Sequence, residues 1–177
     1  MSSTGAGASS QGRAALCFGL AHAALWVPML ALERRMNRAG GLGIIPFELA
    51  GTPERAQEMM DRWGAEGRSA ARTSLLLDYP FLVTYTGLQV AGTALASDAL
   101  RRSGADGLAD AGRLIGPAQI AAGAFDATEN TALLGILAGR RGRWPAVARA
   151  AATAKFALLT VGWIYGALGL AGHLSSR

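Results

Sequence analysis

From Ala14 to Leu32 the chain runs for 19 residues between Arg13 and Glu33 without a charge, provided His22 is neutral. A helix of roughly 18–20 apolar residues matches the hydrocarbon thickness of a bilayer, so this run constrains the architecture more than any other feature. A cleaved signal peptide would need a basic leader before the apolar run. Here the stretch Met1–Gly12 is uncharged and Glu33-Arg34-Arg35 follows at once, so a retained helix is expected.

Three further apolar segments follow. The second runs from about Thr73 to Ser97 and is uncharged from Tyr79 onward, with Asp78 near its start. The third lies between Arg113 and Arg140 and is interrupted by Asp126, Glu129 and Asn130. The fourth runs from about Ala150 to Leu174, with Lys155 near its start. No segment alternates with period two, which argues against barrel strands. The expected fold class is therefore all-α, a membrane-embedded four-helix bundle with an amphipathic helix in its first loop. It forms one domain, with spans near 14–32, 73–97, 114–138 and 150–174 and an unstructured N-terminus over 1–13. A rival architecture lays the third segment along the interface, because an isolated helix with two carboxylates inserts poorly. Gly162, Gly166 and Gly169 are expected to let helices pack closely.

Composition agrees with this architecture. Charged residues are 16% of the chain, against about 25% in soluble domains. The arginines flank the apolar runs and do not form one stripe, so no nucleic-acid partner is expected. The expected partners are the lipid bilayer and either a second copy of the chain or another membrane protein. Cys17 is the only cysteine, which excludes an intrachain disulfide and a cysteine-based zinc site. No nucleophile triad, Gly-rich phosphate loop, haem-binding pair or P-loop is readable, so no cofactor is assigned.

In the first loop, Gly40-Gly41-Leu42-Gly43 breaks the chain, and Ile44-Ile45-Pro46-Phe47 forms an apolar patch beside Glu48. Thr52-Pro53 reads as an N-cap followed by proline at the first helical position. A helix is expected from Pro53 to about Trp63, with Met59, Met60 and Trp63 along the bilayer surface. The loops at 33–72 and 139–149 carry eleven arginines, against five on the other side. The positive-inside rule therefore predicts a multi-pass cell-membrane protein with these two loops cytoplasmic and both termini outside.

Asp126, Glu129 and Asn130 are spaced i, i+3, i+4 and share one helical face. Near the middle of a span that face must turn inward. Two carboxylates this close in a low dielectric cannot both ionise freely. Alternating helix direction places Asp78, Glu129, Asn130 and Lys155 in the same half of the membrane. Lys155 is the only lysine, which makes it a candidate partner for Asp126, Glu129 or Asp78. Lys155 and Asp78 could instead sit at the membrane edge and snorkel outward. Asp78, Leu82, Tyr85 and Gln89 form one stripe on the second segment, and His22 lies mid-span on the first. Fully ionised, Asp78, Asp126, Glu129 and Lys155 sum to −2, so a buried site of this kind needs protons, a cation or a charged substrate.

Several elements occur in a characteristic order: Phe47-Glu48-Leu49-Ala50-Gly51-Thr52, Leu77-Asp78-Tyr79-Pro80-Phe81, Asp126-Ala127-Thr128-Glu129-Asn130 and Lys155-Phe156. In that order the chain resembles a group of small bacterial four-helix integral membrane proteins of unknown function. The resemblance covers most of the chain from Phe47 on. It implies the four-helix fold and a role for Glu48, Asp78, Asp126, Glu129, Asn130 and Lys155, but supplies no activity. Three functions fit these residues. The first is an intramembrane site handling a proton, cation or small polar solute. The second is a structural or assembly subunit whose polar residues lock helices or dock a partner. The third is a Mg²⁺-dependent membrane enzyme acting on a lipid or isoprenoid, with Asp78, Asp126 and Glu129 as ligands.

Overall fold

Left-handed glycines mark the helix ends. Gly104 (φ +82°) and Gly139 (φ +88°) each follow a long helix. After Gly104, Ala105 N–H donates to Leu100 O and Gly104 N–H to Arg101 O; after Gly139, Arg140 N–H donates to Gly135 O and Gly139 N–H to Ile136 O. These paired bonds satisfy carbonyls that a helix end leaves without partners. A computed structural model describes the backbone of residues 4–175 and the side chains of 10–175. Among the described residues the fold is all-α, with no strand and five helices: α1 (Thr4–Arg38), α2 (Ile44–Glu48), α3 (Pro53–Arg102), α4 (Asp106–Leu137) and α5 (Trp144–Ser175). Two stretches, Ser10–Arg38 and Trp144–Ser175, are long and apolar enough to cross a membrane by length and composition.

The expected unstructured N-terminus is corrected for residues 4–13, which are the first turns of α1; residues 1–3 lie outside the described residues. Extending a helix that is already nucleated adds a hydrogen bond for each residue fixed, and no proline interrupts this stretch. The second loop is also shorter than expected, reduced to residues 103–105.

The described residues divide into two compact units. The first comprises the described residues up to His22, Val83–Gly123 and those from Phe156. In it the Tyr165 hydroxyl lies 2.9 Å from Ser97 Oγ and 3.0 Å from Leu108 O, which satisfies the polar end of a buried aromatic. Gly169 packs against Ala96, so closely that an added Cβ would meet the Ala96 backbone. Gly162 packs against the Gln119 amide, whereas a Cβ added at Gly166 would meet nothing within 4 Å. The expected packing role thus falls to Gly162 and Gly169 and not to Gly166. Gly169→Ala is expected to lower stability by about 1–3 kcal/mol through overpacking. Gly166→Ala should be neutral or stabilising by up to about 1 kcal/mol through helix propensity. Unfolding midpoints of the two variants would check this contrast.

The second unit comprises Ala23–Leu82 and Ala124–Lys155. Its core joins Leu32 and Met36 of α1, Phe47 of α2, Trp63 and Leu75 of α3, and Leu133 of α4. Thr52 caps α3: its Oγ1 accepts from Arg55 N–H at 3.3 Å, and its carbonyl accepts from Ala56 N–H. The predicted helix from Pro53 ends after Trp63, because Gly64 leaves helical geometry (φ +58°, ψ −159°) before α3 resumes. The surface placement of this helix's apolar face is corrected. Trp63 is 1% exposed and Met60 is buried. The chain at 41–47 folds back over them: Trp63 Nε1 donates to Leu42 O at 2.8 Å, and its ring lies 4.9 Å from that of Phe47. The indole can be buried there because its one donor is satisfied.

Candidate functional site: a buried lysine among carboxylates

Asp126, Glu129 and Asn130 form the inward face of α4 in the second unit, and all three are buried. On α5, Ala148, Ala152 and Lys155 follow the three-to-four spacing of a buried stripe. A lysine in that stripe is carried into the core and cannot snorkel; Lys155 is 6% exposed. Its Nζ donates to Asp126 Oδ1 at 3.0 Å. It also lies 2.8 Å from Glu129 Oε2 and 3.7 Å from Glu48 Oε2 as an ion partner. The contact with Glu129 lies off the line of a hydrogen bond, so neither Glu129 oxygen accepts one.

Asp78 of α3 is partly buried, and its Oδ2 accepts from Asn130 Nδ2 at 2.6 Å. Next to it, the Tyr79 hydroxyl lies 2.9 Å from Thr131 Oγ1, a second polar tie from α3 to α4. The structure therefore brings together Asp78, Asp126, Glu129, Asn130 and Lys155, joined by Glu48 from the first loop.

Glu48 sits at the end of α2, whose start is fixed by Glu33. Glu33 Oε2 accepts from Ile44 N–H at 3.1 Å and so caps the short helix. Gly43 is required there, since a Cβ would overlap the Glu33 carboxylate. Beyond α2, Gly51 (φ +73°) lies under the Arg149 side chain. Burial pushes the Glu48 carboxyl above its ordinary range, while the Lys155 ammonium pulls it part of the way back.

His22, Tyr85 and Gln89, the other predicted contributors, belong to the first unit. His22 Nδ1 lies 3.3 Å from Thr84 Oγ1, and its ring meets that of Tyr85 edge-on. Gln89 Nε2 is buried without a hydrogen-bond partner. Sequence reasoning missed Gln119, which is fully buried and donates from Nε2 to Leu158 O at 3.1 Å. Its spacing of seven residues, two turns before Asp126 on α4, is the signal that could have found it. It also missed Glu33 and Arg149, which act through glycines distant in sequence.

Chemically, the cluster sets four carboxylates (Glu48, Asp78, Asp126 and Glu129) against one ammonium. Fully ionised it would carry −3. Lys155 stands among the carboxylates where a bound cation would, and no group of three or more His, Cys, Asp and Glu among the described residues is arranged to hold a metal ion. No protein-family model, curated protein or solved structure matches this chain.

Proposed function

We propose that this chain is a multi-pass cell-membrane protein whose buried carboxylate–lysine cluster takes up and releases protons or another small cation. In this reading α1, α3, α4 and α5 all span the bilayer, with residues 33–72 and 139–149 cytoplasmic, as in the small bacterial four-helix proteins that the sequence resembles. The surface supports four spans. Only 6% of the apolar window of α1 and 28% of that of α5 is buried, the reverse of a core helix in a soluble protein. Between Arg113 and Arg140 the exposed residues of α4 are uncharged and include Leu114, Ile120 and Phe125. The two carboxylates that interrupt its apolar run are turned inward. On α3 the exposed residues from Thr73 to Ser97 are likewise uncharged.

The observation that carries the functional reading is the charge imbalance. An uncompensated buried ion costs several kcal/mol, and one lysine cannot neutralise four carboxylates. Protons or a small cation must make up the difference, and their number can change with conditions. In vesicles with a trapped pH indicator, the wild-type protein should dissipate an imposed pH gradient. Glu129→Gln should abolish that flux with helicity unchanged; wild-type flux in this variant would overturn the reading. A path through four helices encloses little volume, so a second copy of the chain or a membrane partner is expected to complete it.

A second reading is favoured by the side-chain ties. Asn130–Asp78 joins α4 to α3, Lys155–Asp126 joins α5 to α4, and Glu48–Lys155 joins α2 to α5. In that reading the cluster locks the helices of a structural or assembly subunit. Glu129→Gln would then lower stability, and no flux would be found in either protein.

A further inference from the structure

We infer that the cavity between the start of α3 and the turn from α4 to α5 binds a phospholipid headgroup that carries both a phosphate and a primary ammonium, of the phosphatidylethanolamine type. Arg140 and Arg141 would take the phosphate and Glu54 the ammonium. The inference rests on the bilayer placement of α4 and α5 in the reading above and is independent of proton handling.

The cavity holds about 240 Å³ within the second unit. Sites that take a whole small molecule measure roughly 300–1,000 Å³, so this one matches a headgroup and leaves acyl chains outside. Met60 and Ile136, both buried, make its floor apolar. The charged residues that line it are Glu54 of α3 and Arg140 and Arg141 after α4, all three exposed. Among the described residues none of these three enters an ion pair, with one another or with any other side chain. The Arg140 guanidinium lies 4.9 Å from the centre of the Trp144 ring, which orders it without neutralising it. Two positive charges and one negative charge therefore remain for a ligand.

Charges of both signs in one cavity select a ligand that carries both. A guanidinium presents a planar fork that matches phosphate oxygens. The start of α5, where Pro145 lines the cavity, adds the positive end of a helix dipole. An ionised carboxylate has acceptors only, so Glu54 opposes a purely anionic ligand and suits an N–H donor. Location selects a lipid over a free phosphate ester. α4 ends at Leu137 and α5 begins at Trp144, so the cavity lies at the ends of two spans, the level at which arginine and tryptophan meet headgroups. Met60 and Ile136 offer the glycerol and the first methylenes an apolar surface.

The test uses the full chain, purified in detergent, stripped of lipid and titrated while its unfolding midpoint is followed. The probes are dihexanoyl phosphatidylethanolamine, dihexanoyl phosphatidylglycerol and free phosphoethanolamine. The ethanolamine lipid should raise the midpoint and bind about tenfold more tightly than the glycerol lipid, the contribution of one charge-assisted hydrogen bond. Glu54→Gln should remove that preference, and Arg141→Gln should weaken both lipids. Both positions are exposed, so without lipid the variants should unfold at the wild-type midpoint; if one does not, the other decides the matter. Equal binding of the two lipids, a preference that survives Glu54→Gln, or wild-type lipid binding by Arg141→Gln overturns the inference. Tighter binding of free phosphoethanolamine than of its lipid assigns the site to a soluble phosphate ester and overturns the lipid source. Extraction of the chain from membranes by alkaline carbonate without detergent overturns the bilayer placement itself. A chain that stays in the membrane yet shows no lipid preference loses the headgroup site alone.

Discussion

Lys155→Met is expected to lower the unfolding free energy by about 3–5 kcal/mol, the cost of leaving buried charge without its partner. Methionine keeps an unbranched chain of similar length, so the loss would report charge and not volume. Among the described residues the ammonium is the ion partner of Glu48, Asp126 and Glu129, and removing it takes their shared counter-charge away. The diagnostic result is the rescue. Adding Asp126→Asn and Glu129→Gln to Lys155→Met should recover most of the loss, because the two carboxylates nearest the ammonium no longer need its counter-charge. Denaturant unfolding in detergent micelles, arranged as a mutant cycle, would measure this coupling. Additive losses would mean that Lys155 acts by packing alone. Lys155→Arg should recover only part of the stability, since a planar guanidinium does not reproduce the three-way geometry of an ammonium.

Trp63→Ala should cost a comparable amount, about 3–5 kcal/mol for a large buried aromatic. Its effect would fall on the first loop. Trp63 fills the space under Gly41, where any Cβ would strike the indole ring, and it packs on Phe47 while its Nε1 holds Leu42 O. Without it, residues 40–48 lose the surface that they fold onto, and Glu48 loses its fixed approach to Lys155. The expected signature is a large fall in stability together with faster proteolysis near Gly40–Gly43. Trp63→Phe keeps most of the packing but removes the hydrogen bond to Leu42 O, for about 1 kcal/mol. Wild-type protease resistance in Trp63→Ala would show that the loop is held by something else.

The parts of the fold legible in the sequence were those governed by local chemistry. Thr52-Pro53 marked the start of α3, and Gly40-Gly41-Leu42-Gly43 marked the end of α1, because caps and left-handed turns depend on a few adjacent residues. The shared face of Asp126, Glu129 and Asn130 followed from helical period alone. The apolar runs located all four long helices, although the ends of the runs understated them: α1 begins at Thr4 and α3 reaches Arg102. Helical hydrogen bonds can continue into polar sequence that a hydropathy boundary excludes.

Which side chains meet across helices was decided only in three dimensions. Lys155 had candidate partners in Asp126, Glu129 and Asp78; the structure gives it Asp126 and Glu129, adds Glu48, and gives Asp78 to Asn130. Whether Trp63 lies on a surface or in a core, and whether Glu48 points outward or inward, depends on how residues 40–52 fold back. That path is set by contacts to Glu33, Trp63 and Arg149, at separations that no periodicity encodes. Short-range order follows from each residue's own backbone and its nearest neighbours, whereas a buried charge takes its environment from whichever distant segments close around it.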